Sequence, residues 1–517
     1  MTATLDSPRR HNGGVPGLDP KRWAGLAVLC ASLLIVAMDM TILNVALPAI
    51  SEQLKPGSVQ LLWIVDIYPL VVAGLLVTAS GLADKFGRKR MLMVGFATFA
   101  LASMLVLVID SAPGLIVVRS LLGVGGALIM PSTLSMIRNL FSDAKERAVA
   151  LGIWGSMAAV GTGLGPIAGG ALLEHFSWHS AFLVNVPVMA VALVAAWFVL
   201  PESFSPRSGR WDVLGTLLSV VGMVSLMLAI KNFGKHGVTD PVALIAIVVA
   251  VAALGWFVHR SLHRRDPLLD IRLLKRRALS AGLIAALTTS IALAAMLLLL
   301  AQWMQLVAGM SPLEAGVHLL PAAIAAGILS PLAPRIAAVI GARTVMAGGL
   351  AMGGLGFLAL FVLPAPLSYA TVALSLTFVG VGMASLAIGS AAVMSSSPAE
   401  KSGSAAALEE TAFELGGALG VAILGSVAAI VYRAGLSLDD LAAMGVTGPE
   451  AEAARESLGG AVAVADQAGA AGLTAQAQES FTNALEIFGV AGGALMLIGA
   501  LAVWLLTPKG MSVTGAH

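Results

Sequence analysis

Gly81-Leu82-Ala83-Asp84-Lys85-Phe86-Gly87-Arg88-Lys89-Arg90 separates two apolar runs, 60–80 and 91–110. Each run is close to the roughly 20 residues that cross about 30 Å of hydrocarbon as a helix. Gly81 and Gly87 permit a tight turn between helix ends. Asp84 and Arg88 stand four apart and are spaced to pair, while Arg88, Lys89 and Arg90 put a block of positive charge at one end of both runs. The same alternation of apolar run and short charged stretch continues along the chain. Of its 517 residues, 58% are hydrophobic and 11% charged, and mean hydropathy is +0.93. That leaves too little polar surface for a water-soluble fold and predicts an all-α polytopic membrane protein.

Fourteen spans are predicted: 23–48, 60–80, 91–110, 113–137, 148–171, 179–200, 212–231, 240–259, 279–301, 312–334, 343–363, 369–394, 404–431 and 484–507. An even number puts both termini on one side. With that side inside, 24 of the 30 Lys and Arg residues fall in inner segments. Five (Lys55, Lys231, Lys235, Arg433 and Arg455) fall in outer ones, and Arg119 lies within a span. The positive-inside bias therefore predicts cytoplasmic termini in a cell (inner or plasma) membrane. The net charge of +2 gives no reason to expect a nucleic-acid partner, and the single Cys30 reads as packing within span one. No cleavable signal is evident, so the first run reads as a retained span.

A degraded echo of the opening stretch, Leu332-Ala333-Pro334-Arg335 to Gly341-Ala342-Arg343, follows span ten. The repeat predicts two six-helix halves with two additional helices between them. The expected units are a cytoplasmic tail 1–22, an N-terminal bundle 23–200, the additional helices and linker 201–278, a C-terminal bundle 279–507, and a tail 508–517. Within the C-terminal bundle an extracellular loop, 432–483, is acidic and Ala-rich; it is either a solvated connector or a small helical hairpin. Such internal symmetry marks secondary transporters, whose substrate lies between the halves.

Five carboxylates fall inside apolar runs: Asp39, Asp66, Glu409, Glu410 and Glu414. Each costs roughly 2.5–3.5 kcal/mol at a span centre on insertion scales, so such groups are kept for moving protons, cations or charged solutes. Burial and a nearby cation pull a carboxyl group's ionisation in opposite directions. Glu410 and Glu414 share one helical face and are coupled, while Glu409 points about 100° away; a packing contact and a transport role stay open for Glu409. Arg119 is permanently charged and needs a partner. Gly161, Gly165 and Gly169 recur every four residues and clear one helix face for close approach, and Pro166 removes a backbone hydrogen bond beside them. Either a hinge or simple close packing follows.

Several strings resemble the major facilitator superfamily. The Gly81–Arg90 stretch is similar to that family's loop between spans two and three. Met38-Asp39-Met40-Thr41-Ile42-Leu43-Asn44-Val45-Ala46-Leu47-Pro48 resembles the first-span motif of fourteen-span drug/proton antiporters. Arg119-Ser120-Leu121-Leu122-Gly123-Val124-Gly125-Gly126 resembles the fourth-span motif, and Gly161-Thr162-Gly163-Leu164-Gly165-Pro166-Ile167-Ala168-Gly169-Gly170 the fifth-span motif of antiporters. Trp178, Phe182 and Asn185-Val186-Pro187 fit the start of span six. Trp63-Ile64-Val65-Asp66-Ile67-Tyr68 and the glutamates bring the chain nearest to multidrug exporters of the QacA, SmvA and LfrA type. Some of these relatives carry a further carboxylate near the position of Ala326, whose absence here leaves recognition of dications open.

The resemblance implies a major facilitator fold and proton-coupled efflux of lipophilic, cationic drugs, antiseptics or dyes. The proton gradient supplies the energy, with no cofactor and no metal. It pairs Asp39 with Arg119 and assigns proton coupling to Asp39, Arg119, Asp66, Glu410 and Glu414. Substrate binding falls to Asp66, Glu409, Glu410, Phe413 and Glu414. Gating falls to Gly81, Asp84, Gly87, Arg88, Gly161, Gly165, Pro166 and Gly169. The expected partners are small lipophilic cations, protons and the lipid bilayer, and the protein is expected to work as a monomer. A narrow exporter of one metabolite or self-made antibiotic is the alternative, and a non-transporting receptor a remote one. No G-x4-G-K-[ST] stretch and no nucleophile–base constellation points to an enzyme.

Overall fold

The structure, a computed structural model, describes residues 21–511 except 57, 204–211, 237–238, 265–266, 363–366, 399–400 and 469. Most of the N-terminal tail 1–22 and the end of the tail 508–517 lie outside the described residues. Among the described residues, fourteen helical stretches are long and apolar enough to cross a membrane. Spans one to seven are Arg22–Leu43, Trp63–Phe86, Arg88–Val108, Ala112–Leu140, Ala144–His175, Ser180–Val199 and Val213–Phe233. Spans eight to fourteen are Pro241–His263, Arg277–Val307, Leu313–Ile340, Ala342–Val362, Tyr369–Ser396, Ser402–Ala434 and Gly472–Leu506.

The turn after span two is tighter than its sequence suggests. Gly81 is helical, because the helix runs on to Phe86, and Gly87 alone makes the reversal at φ 106°. The echo is built the same way: span ten continues through Arg335 to Ile340, and Gly341 alone turns the chain at φ 89°. Both glycines occupy backbone that side chains disfavour, so the repeat is conformational as well as sequential.

Spans one, two, three, four, five and six form one half. Span one lies against five, and spans two and three against four. Spans nine to fourteen form the other, with nine against thirteen and eleven against twelve and fourteen. The halves meet where span five runs along span ten, and where span thirteen lies against two and four. Gly152 shows how close the first seam is, since a Cβ there would stand 2.4 Å from the Ser330 carbonyl oxygen. The additional spans seven and eight pack on each other, and seven reaches both span two and span thirteen.

Asp212, just before span seven, ties the additional pair together. It accepts from Arg260 Nη2 at 2.9 Å and lies 3.2 Å from Arg264 Nη1. Burial pushes its carboxyl up, but hydrogen bonds from Arg260 and the Gly215 N–H, with the charges of Arg264 and Arg260, outweigh that and hold it below the usual range.

The segment 432–483 is a packed cap. It folds as three short helices, Leu438–Ala443, Pro449–Glu456 and Leu458–Ala468, before the long closing helix Ala471–Leu506. Leu436, Leu441, Val446, Ala454, Leu458 and Ala461 are buried. The Tyr432 hydroxyl donates to the Ala454 carbonyl at 2.9 Å, and Gln478 Nε2 to that of Leu306 at 2.7 Å. The last helix therefore starts well before the predicted 484, because its polar first turns are held by the cap. Trp154, Trp178 and Trp303 are interior, each donating its indole N–H (to Thr133, Gln53 and Thr482), while Trp63 and Trp256 are exposed.

Candidate functional site

Asp39 sits midway along the helix Arg22–Leu54, with no water-facing surface on which to place its charge. One oxygen accepts from Arg119 Nη1 at 2.8 Å and the other from Asn185 Nδ2 at 2.7 Å. Arg119 also donates through Nε to the Ile64 carbonyl at 3.2 Å and lies 4.6 Å from the centroid of the Tyr68 ring. Asn185 reaches on to the Ser103 hydroxyl at 3.3 Å. Spans one, two, three, four and six thus converge on one knot. A buried ion pair is tolerated when further hydrogen bonds occupy its remaining polar atoms, and here the guanidinium fork meets a carboxylate, a carbonyl and a ring face. The sequence pairs Asp39 with Arg119 by family resemblance. It does not reveal Asn185 as the second partner, because a lone Asn beside Val186 and Pro187 reads as a packing string.

The glutamates lie on the helix Ser402–Ala434, which packs against spans two and four of the first half. Glu409, Glu410 and Glu414 are all buried. Glu409 accepts from the Ser390 hydroxyl of span twelve, whereas Glu410 faces the fields of Glu409 and Glu414. One Glu410 oxygen and the other Glu409 oxygen are buried without a hydrogen-bond partner among the described residues. Such groups need a proton, a water or a ligand cation to offset lost hydration. Phe413 is half-buried against the core between Glu410 and Glu414.

Asp66 occupies a different setting from the other four carboxylates. It lies one turn into span two and is ion-paired to Lys231 of span seven, the side chains being 32% and 29% exposed. The sequence places Lys231 in an outer segment, but it falls inside the helix Val213–His236 and inside the span. The same ammonium exerts its field on Glu414. Tyr68 feels both Asp39 and Glu414, so the knot of the first half and the glutamates of the second are within electrostatic reach of each other.

The gating strings pack as two seams. Arg88 Nη2 donates to Asp84 at 2.7 Å, as the four-residue spacing predicts. Asp84 also abuts the first turn of Ser402–Ala434, where a Cβ on Gly403 would stand 2.2 Å from Asp84 Oδ2, and the Ser80 hydroxyl donates to the Gly403 carbonyl at 2.7 Å. A carboxylate at a helix N-terminus is favoured by the helix dipole. Glu202 fills the space in front of Gly87, 2.6 Å from where a Cβ would be. Gly161, Gly165 and Gly169 face span one, with a Cβ falling 2.5 Å from the Leu34 carbonyl, 2.9 Å from that of Met38 and 3.0 Å from Ile42 respectively. The helix Ala144–His175 continues through Pro166. These glycines pack closely against span one.

A family model described as Major Facilitator Superfamily matches residues 29–421. The chain belongs to the major facilitator superfamily. Among members of the superfamily, it is 38% identical over 487 residues to the multidrug efflux pump LfrA of Mycolicibacterium smegmatis, covering 93% of this chain and 96% of the relative. It is 33% identical over 494 residues to the methyl viologen resistance protein SmvA of Salmonella typhimurium, covering 95% and 99%. Among solved structures, the human organic anion transporter MFSD10 superposes with a TM-score of 0.60 at 14% identity, covering 94% of this chain and 99% of that one. The likeness is one of fold. This superfamily member is a multi-pass membrane protein with two six-helix halves and two additional helices.

Proposed function

We propose that this chain exports lipophilic, cationic compounds across the bacterial inner membrane in exchange for protons, its halves alternating access to a site between them. The observation that carries this reading is the Glu409, Glu410 and Glu414 cluster, three buried carboxylates on a helix that packs against the other half, two of them with an oxygen left unpartnered among the described residues. An anionic, otherwise apolar wall favours organic cations without demanding one shape. The names of its relatives, a multidrug efflux pump and a methyl viologen resistance protein, support an exported small molecule.

In this reading the end carrying Asp84 and both termini is cytoplasmic, the bundles are 23–200 and 279–507, and the protein works as a monomer. The proton gradient is the only energy source. Protons entering from outside load Glu410 and Glu414, and the Asp39–Arg119 knot couples that loading to the first half. Asp66 and Glu414 hold the cation, with Phe413 beside them. Asp84, Arg88 and the glycine seam of span five transmit the rocking.

Ethidium efflux from cells expressing the chain tests the reading. Efflux is expected to collapse when an uncoupler is added and in the variant carrying Asp66→Asn with Glu414→Gln. Efflux that survives either treatment would overturn it.

A further inference from the structure

Lys231 comes from span seven, outside both six-helix halves, yet its ammonium contacts a carboxylate of the first half and acts through space on one of the second. It is ion-paired with Asp66 of the first half and acts through its field on Glu414 of the second. Span seven packs against both span two and span thirteen, which holds the lysine at their junction. The Asp66–Lys231 pair is about a third exposed on both sides, and an ion pair so placed adds little to stability. Arg119, by contrast, is locked by Asp39, the Ile64 carbonyl and the Tyr68 ring. A lysine is a compact charge on a flexible four-carbon stem and is readily moved.

We infer that Lys231 is a built-in stand-in for substrate: its ammonium occupies the cation subsite between Asp66 and Glu414 when the site is empty, and a monovalent organic cation binds by displacing it. The additional pair of helices thereby sets specificity. The subsite holds two carboxylates and one internal cation, so an arriving monocation exchanges for a charge of equal size. This rests on the export of cations proposed above.

The experiment uses the full chain in proteoliposomes with an imposed proton gradient and ethidium as the probe. Lys231→Met removes the competitor and is expected to lower the ethidium KM at least about fivefold, the lower range of ordinary coupling between ligands. Lys231→Arg is expected to retain a KM close to that of the parent. In an Asp66→Asn background, Lys231→Met is expected to change the KM far less, because the competitor has lost its seat. A second measurement needs no variant: amine-reactive labelling of Lys231, followed by mass spectrometry, should rise when saturating ethidium is added. A KM unchanged or raised in Lys231→Met, or labelling that stays flat or falls, overturns the inference while parent transport persists. Absence of gradient-driven ethidium transport by the parent sinks the export reading, and this inference with it.

Discussion

The hydroxyl of Thr41 donates to the carbonyl oxygen of Thr162 at 3.1 Å, the acceptor that Pro166, four residues on, leaves without a helical N–H. Span one thus supplies the bond that span five's proline removes, at the point where Gly165 lets the two backbones close. That one proton is shared with the Met38 carbonyl, also 3.1 Å away, one residue before Asp39.

Thr41→Val should lower stability by about 0.6 kcal/mol, the average for hydrogen bonds between membrane helices. Gly165→Ala should cost more, since its Cβ would fall 1.9 Å from Thr41 Oγ1 and 2.9 Å from the Met38 carbonyl. Adding Thr41→Ala relieves only the first clash, so partial recovery is expected. Thermal unfolding of the purified variants in detergent ranks all three.

Arg119→Ala strands the Asp39 charge beside Asn185 alone and is expected to cost about 3–5 kcal/mol, as for other broken buried pairs. Arg119→Gln combined with Asp39→Asn removes both charges and should cost less than Arg119→Ala. A single substitution milder than the double one would show that the pair does not hold the knot together. Arg119→Lys should not restore transport, because one ammonium cannot reproduce the fork to Asp39 and Ile64.

The prediction for the other seam concerns Gly403. Gly403→Val pushes Asp84 off the helix terminus and separates spans two and thirteen. A cysteine placed at Ser80 should then react faster with a water-soluble maleimide than it does in the parent. Equal rates in both backgrounds would count against a seam at this point.

Asp212 carries a pH signature. Its folded carboxyl lies below the usual carboxylate range, so its contribution is complete above the unfolded value and is lost as pH falls through the folded one. Stability of the parent should therefore fall more steeply on acidification than that of Asp212→Asn. Melting curves from neutral pH down to the carboxylate range compare the two slopes.

Fourteen spans were legible because a helix in lipid satisfies its own backbone and advertises itself as an apolar run of fixed length. That Arg119 needs a counter-charge was legible because a permanent charge inside a run demands an opposite one, but only the family resemblance singled out Asp39 among five carboxylates. Lys231 was not. A cation at the end of an apolar run reads as a topological anchor, and only the packing of span seven against span two turns it toward Asp66. The early start of the last helix escaped notice for a related reason. Residues 472–483 are too polar to look membrane-bound, and they are helical through contacts with a cap whose own helices are short. The tight turns at Gly87 and Gly341 were half visible: the glycines marked them, but Gly81 and Arg335 proved to be helical.

The cap formed by 432–483 touches the second half through the helices Ser402–Ala434 and Ala471–Leu506. It therefore travels as a passenger of that half. An antibody fragment raised against Leu438–Ala468 would add a rigid fiducial to a protein whose other described residues lie almost entirely in long apolar helices, and its tilt between images would report directly how far one half has swung.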